Sequence, residues 1–238
     1  MDARRSALSS GRGRPLPTCP GMGAERSQGA PDRACLWTIQ AARFAILKRM
    51  RSSDHAATEA PSEWISRFAP LIRGGGRVLD LACGGGRHAR LLAQLGYQVA
   101  AVDRDAQALE LLAPLTGIEI KCADLESGPW PYPGAVFAGI VVASYLHRPL
   151  FPLLLNSLEQ EGVLIYETFA LGNERYGRPS NPQFLLRPGE LLSVVGGRLR
   201  VVAYEDMFVS SPKPAMVQRI CAIAAPDSAA RAPGRLLS

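Results

Sequence analysis

The chain has 238 residues, 47% hydrophobic and 20% charged, which suits one domain of about 150–200 residues with tails and a core that needs no disulfide or metal staple. Its net charge of +6 sits in residues 1–51, where ten Lys/Arg face three Asp/Glu; the remainder holds seventeen against eighteen, so the body gives no electrostatic case for a nucleic-acid partner. Five scattered cysteines (Cys19, Cys35, Cys83, Cys122, Cys221) form no CxxC pair or Cys/His cluster, which argues against a disulfide framework or a metal site and for a reducing, cytoplasmic setting.

Residues 1–34 are rich in Arg, Gly, Pro and Ser and are expected to be disordered, because they cannot bury enough surface to offset their ordering entropy. The Arg-rich start resembles a transit peptide, but its Gly and Pro spacing spoils an amphipathic helix; Met50 is an alternative start. Cys35 to Met50 reads as one weak helix, with Trp37, Ala41, Phe44 and Leu47 at helical spacing. The extension is therefore drawn over 1–50, the folded domain over 62–225, and a flexible Ala/Pro/Arg-rich tail over 226–238.

Within the domain, Ser62–Phe68 reads as a short amphipathic helix broken by Gly74-Gly75-Gly76. Strands are expected at Arg77–Ala82, Tyr97–Val102, Ile118–Cys122, Val136–Ala143 and Gly162–Thr168, with helices at Arg87–Leu95, Ala106–Ala113 and Phe151–Leu158. Val136–Ala143 is a near-continuous apolar run, as a strand buried on both faces should be. The surrounding apolar stretch, Ala135–Leu146, is shorter than the roughly 18–20 residues that span a bilayer. Pro188–Val195 reads as a helix, followed by two strands, Arg198–Tyr204 and Met216–Ala224. Pro212 and Pro214 forbid a helix between these two, so they form an antiparallel pair at the sheet edge. Alternation of strand and helix before that pair predicts an α/β fold with a mostly parallel sheet.

The chemistry is concentrated in Val78-Leu79-Asp80-Leu81-Ala82-Cys83-Gly84-Gly85-Gly86-Arg87-His88. A strand runs into a glycine turn, which lets backbone approach a ligand, and then into a helix whose first N–H groups are free. Asp103 ends the second strand, where a carboxylate accepts from ribose hydroxyls, and Asp124 follows the third, placed to reach an adenine amino group. Gly84 to Ala89 also satisfies G-x-G-x-x-A, the dinucleotide fingerprint, so a nicotinamide-dependent oxidoreductase is the rival reading. Against it, Asp80 would bring a carboxylate beside the ligand, which suits a cation and is awkward beside a pyrophosphate.

The acid-x-x-x-G-x-G signature carried by Asp80, Gly84 and Gly86 resembles the class I S-adenosylmethionine-dependent methyltransferases, and within them the small stand-alone tellurite-resistance type. The resemblance implies a Rossmann-like three-layer sandwich with a seven-stranded sheet of order 3-2-1-4-5-7-6 whose last strand is antiparallel. It implies S-adenosyl-L-methionine as cofactor. Asp80, Ala82, Cys83, Gly84, Gly86 and His88 would lie at its methionyl part, Asp103 at the ribose, and Asp124 and Leu125 beside the adenine, with Arg104 and Ala143 as further cofactor-binding candidates. The helix that the family places between strands three and four is expected to be replaced here by the Pro-rich Gly128–Gly134.

The acceptor should face this site from the ends of strands four and five. His147 is either a general base or a cap of the helix after Pro149, and Tyr145 either lines the sulfonium or packs in the core. Tyr166, Glu167, Arg175, Tyr176 and Arg178 are substrate-binding candidates on strand five and the long segment after it, a length that suits a lid or binding loop. Glu167, ending a buried strand, needs a partner, for which Arg175 or Arg178 is expected. The expected reaction is in-line methyl transfer to a small-molecule acceptor, with a cofactor-binding but inactive regulator as the alternative.

Overall fold

The computed structural model describes residues 60–225; the expectations for 1–59 and 226–238 lie outside the described residues. β1 (Arg77–Leu81) is the axis of the sheet. It pairs in parallel with β2 (Gln98–Asp103) on one side and β4 (Phe137–Ala143) on the other. β3 (Ile118–Cys122) adds in parallel to β2, and β5 (Leu158–Phe169) to β4. β7 (Ala215–Ala224) runs antiparallel to β5 and carries β6 (Leu199–Val209) as the edge of a hairpin. The order β3-β2-β1-β4-β5-β7-β6 is the one expected, with seven strands.

Strands buried on both faces bury every residue, and β4 does so from Phe137 to Val142. The two faces make two cores. Leu79 and Leu81 belong to one, with Ile140, Val142 and Leu164, covered by α4 (Phe151–Asn156) and α5 (Glu190–Val195). Val78 belongs to the other, with Val141 and Ile165, covered by α1 (Glu63–Phe68) and α2 (Arg87–Gln94). The period of two therefore sends Asp80 to the α2 side. Ser62 caps α1, its hydroxyl accepting from Trp64 and Ile65.

Most boundaries differ from expectation by a residue or two; three differ by more. α3 (Ala106–Glu110) is shorter than expected, because the chain tightens into three-residue turns toward Pro114, which has no N–H to continue it. α4 begins at Phe151 as expected, behind a 3-10 turn, Arg148–Leu150. β5 starts at Leu158 rather than Gly162, with Glu161 held left-handed at φ 58° before the strand proper. β6 runs on to Val209, since Pro212 and Pro214 fall in the turn and not in a strand. No helix occurs between Cys122 and Phe137. Among the described residues no helix is long and apolar enough to cross a membrane.

Candidate active site

The turn after β1 is built on alternating left-handed residues: Ala82 (φ 53°), Gly84 (φ 53°) and Gly86 (φ 74°). This winds the backbone tightly and turns its N–H groups to fixed partners. Cys83 donates to the Val102 carbonyl at 3.0 Å and Gly86 to that of Cys83 at 2.9 Å. Gly84 donates to Asp103 Oδ2 at 2.8 Å. The other oxygen of Asp103 accepts from the Asp105 N–H at 3.0 Å, so this one carboxylate joins the turns after β1 and β2. A Cβ on Gly84 would meet no atom within 4 Å, so the loop faces open space there; one on Gly86 would lie 2.3 Å from Leu112 Cδ2.

Asp80 lies elsewhere than the sequence implied. It is 1% exposed, accepts from the Ala89 N–H at the start of α2, and lines neither of the two depressions described below. Burial pushes its carboxyl up to about 7, against the pull of the Ala89 N–H and Arg87. Its Oδ2 has no protein partner. Asp80 thus underpins the glycine turn from beneath instead of projecting into the cleft.

A depression of about 240 Å³ opens over the carboxyl ends of β1, β2 and β3. Ala82, Asp103, Arg104, Asp124, Leu125 and Tyr145, all candidates from the sequence, line it together with Ala123, Glu126 and Ser144. Asp124 Oδ1 accepts from the N–H groups of Glu126 and Ser127 at 2.9 and 3.2 Å, and these bonds hold its carboxyl below the ordinary carboxylate range. The Tyr145 hydroxyl is buried with no protein partner. Burial, with Glu126 and Asp124 nearby, pushes it up to about 12, so at neutral pH it is a hydrogen-bond donor and no base.

A second, larger depression of about 620 Å³ lies beside the first. Ser144 lines both. Its backbone is left-handed at φ 55° and its N–H donates to the Glu167 carbonyl at 2.8 Å, so the chain turns sharply where the two spaces meet. Glu167, Tyr176 and Arg178 line the second space as expected, and Arg175 does not. Glu167 finds a different partner from either arginine expected: Arg219 Nε lies 2.6 Å from its Oε2, because the antiparallel register sets the two directly opposite on β5 and β7. Arg219 also reaches Glu205 at 3.3 Å.

The remaining candidates line neither depression. His88, expected at the methionyl part, is 3% exposed, and its Nε2 accepts from the Ser62 N–H at 3.2 Å, fastening α1 to α2. Burial and Arg87 push its imidazole down to about 3, which keeps that acceptor nitrogen unprotonated. His147 stands at the start of the 3-10 turn, makes no side-chain cap and lines neither depression. Tyr166 is fully buried, its hydroxyl donating to the Tyr145 carbonyl at 2.8 Å. Cys83 and Ala143 sit in the packed wall behind the turn and line neither space. Among the described residues no group of three or more His, Cys, Asp or Glu is placed to hold a metal ion.

The long segment after β5 is anchored at its neck. Leu171 donates to Leu186 and Leu186 to Phe169, both at 2.9 Å. Arg148 grips Glu190 through Nε at 2.6 Å and Nη2 at 2.9 Å, and also donates to the carbonyls of Gln183 and Leu185. Buried Asn173 ties the loop to Pro179 and, by accepting from the Met216 N–H, to β7.

Residues 78–159 match the family described as a methyltransferase domain. A ubiquinone biosynthesis O-methyltransferase of Albidiferax ferrireducens is 39% identical over 64 residues, 27% of this chain and 24% of its own; the chain thus spans about a quarter of the length of that curated relative. Among solved structures, TehB from Haemophilus influenzae superposes with a TM-score of 0.60 at 18% identity, over 70% of this chain and 63% of its own. An S-adenosylmethionine-dependent methyltransferase from Mesorhizobium loti gives 0.53 at 18% identity over 68% and 98%. The glycopeptide N-methyltransferase MtfA, solved with sinefungin, gives 0.51 at 14% over 76% and 96%. At these identities the structural likeness is one of fold.

Proposed function

We propose that the chain, whose residues 78–159 match a methyltransferase domain and whose sheet runs β3-β2-β1-β4-β5-β7-β6, is an S-adenosylmethionine-dependent methyltransferase acting on a small-molecule acceptor. The observation that carries this reading is a pair of adjoining spaces that share Ser144, the smaller one lined by Asp103 and Asp124 at the ends of β2 and β3. The residues present fit the nucleoside. Asp103 keeps lone pairs beyond its two backbone bonds for ribose hydroxyls. Asp124, Leu125 and Ala123 offer an acceptor beside apolar surface for the adenine, and the open face over Gly84 leaves room for the methionyl part.

S-Adenosylmethionine supplies, when bound, a methyl group already made electrophilic by its sulfonium. The chain's own part is then to orient the acceptor for in-line displacement and to exclude water. The Tyr145 ring lines the space where a cationic centre gains from an aromatic face. The Glu167–Arg219 pair at the inner end of the larger space is formally neutral, so no unpaired charge of either protein group competes with the acceptor there. With His147 outside both spaces and Tyr145 held protonated, the reading assigns no dedicated base and expects an acceptor that is nucleophilic without one.

Isothermal calorimetry with S-adenosylhomocysteine against NAD tests this directly. The homocysteine nucleoside should bind, NAD should not, and Asp103→Ala should abolish binding while leaving the fold intact by circular dichroism. Binding of NAD in its place would sink the proposal.

A further inference from the structure

We infer that the larger depression takes an acceptor carrying an anionic group, a carboxylate on an apolar ring, read by Arg178 and Lys213; the inference rests on the methyltransferase reading of the same site. Six charged residues line that space, four basic (Arg87, Arg178, Lys213, Arg219) and two acidic (Glu63, Glu167). Two of the basic ones are already engaged: Arg219 by Glu167 and Glu205, and Arg87 by the Ala60 carbonyl and by a further interaction. Arg178 and Lys213 have no ion-pair partner among the described residues. They come from different loops, one on the segment after β5 and the other in the β6–β7 turn, and both reach the same mouth.

This surplus is local. Beyond residue 51 the chain's formal charge is −1, and the smaller depression is acidic, with Asp103, Asp124 and Glu126 against Arg104. The two adjoining spaces therefore differ in sign, the smaller one acidic and the larger one basic, and a charged cleft with low-dielectric walls focuses that difference on whatever enters. An acceptor whose carboxylate stays at the mouth has its nucleophilic end directed inward, toward Ser144.

Size and lining specify the rest of the molecule. A space of about 620 Å³ lies within the range of roughly 300–1,000 Å³ typical of organic ligands and far exceeds what a simple oxyanion needs. Phe169, Tyr176, Val209 and Val217 give it apolar walls. Tyr176 packs against Phe208 at a tilt of 43°, with ring centroids 4.9 Å apart, which supplies aromatic surface at the edge of the space.

The test uses the full chain saturated with S-adenosylhomocysteine and three probes on one ring: 3-hydroxybenzoate, 3-hydroxybenzamide and 3-hydroxybenzylamine, titrated by calorimetry. The carboxylate should bind about tenfold more tightly than the amide, the scale of one charge-assisted hydrogen bond, and the amine most weakly. The double variant Arg178→Glu/Lys213→Glu should lose the carboxylate by at least that factor and gain the amine. Its melting temperature and nucleoside affinity should match wild type, since neither side chain has an ion-pair partner among the described residues. An amide that matches the carboxylate, a double variant that keeps it, or no carboxylate binding at millimolar concentration overturns the inference. Titrating 3-hydroxybenzoate without the nucleoside separates the two readings. Failure of S-adenosylhomocysteine to bind removes the methyltransferase reading, while a carboxylate preference that depends on Arg178 and Lys213 would survive it.

Discussion

Asp80 is a carboxyl group in a place that favours its neutral form. Its folded value of about 7 lies above the ordinary 3.8, so between those pH values the folded state holds a proton that the unfolded state has lost. Its contribution to stability is fully present below about pH 4, declines as pH rises toward 7 and is constant beyond, by an upper bound of about 4 kcal/mol. His88 produces the opposite slope, because its folded value of about 3 lies below the ordinary 6.5. The two offset in the wild type, and the difference between Asp80→Asn and wild type isolates the first. Urea melts from pH 4 to pH 8 should show that difference moving in favour of the variant up to pH 7 and then levelling; a difference flat with pH would contradict the buried-acid account.

The glycine turn allows a paired test at the same scale. Gly86→Ala combines a left-handed φ of 74° with a 2.3 Å contact to Leu112, and should cost about 2–4 kcal/mol by urea denaturation. Gly84→Ala has the strained φ but open space, and should cost about 1 kcal/mol. It should weaken nucleoside binding more than it weakens the fold. The glycines, Asp103 and Asp124 were legible in the sequence because each stands at a strand's last residue or in the turn just after one, so the strand's end fixes its place. Asp80 lies inside a strand. Its face is set by a period of two, which the sequence carries and which the apolar run on either side obscures.

At the scale of elements, Arg148 is the clasp of the segment after β5. Arg148→Ala would leave Glu190 unpaired and release two carbonyls, a loss of about 1–3 kcal/mol for charge-assisted bonds. Hydrogen exchange should show Leu171 and Leu186 losing protection while β1 and β4 keep theirs. Burial raises the Glu190 carboxyl, but Arg148 and the Arg187 N–H outweigh it and hold the group below its ordinary value. A depressed carboxylate stabilises above its unfolded value, so the clasp should persist at neutral pH and loosen only as pH falls through the acid range. The strands were readable as elements because central parallel strands bury both faces and admit few polar residues. The clasp was not, because it joins residue 148 to residues 183, 185 and 190, and no local pattern encodes that meeting. The Glu167–Arg219 pair was hidden for the same reason, since it depends on the register of β5 against β7.

At the scale of the molecule, ligand linkage gives the simplest readout. S-Adenosylhomocysteine at a hundred times its dissociation constant should add about 2.7 kcal/mol to stability, and melting temperatures move by about 2–4 °C per kcal/mol for a domain of this size. Absence of any shift would count against a preformed nucleoside space. The sequence disclosed that space far better than its neighbour. Residues 82 to 126 supply nearly all of the first, in consecutive strand-ending turns. The second gathers residues 60–63, 87, 144, 167–169, 173, 176–178, 209, 211–215, 217 and 219, which only the completed sheet brings together.

That division has a consequence for how the protein could change. The two chambers draw on different ends of the sheet and have Ser144 alone in common among the residues that line them. The loops around the outer chamber could be rewritten to admit a new guest while the inner one goes on holding the old one.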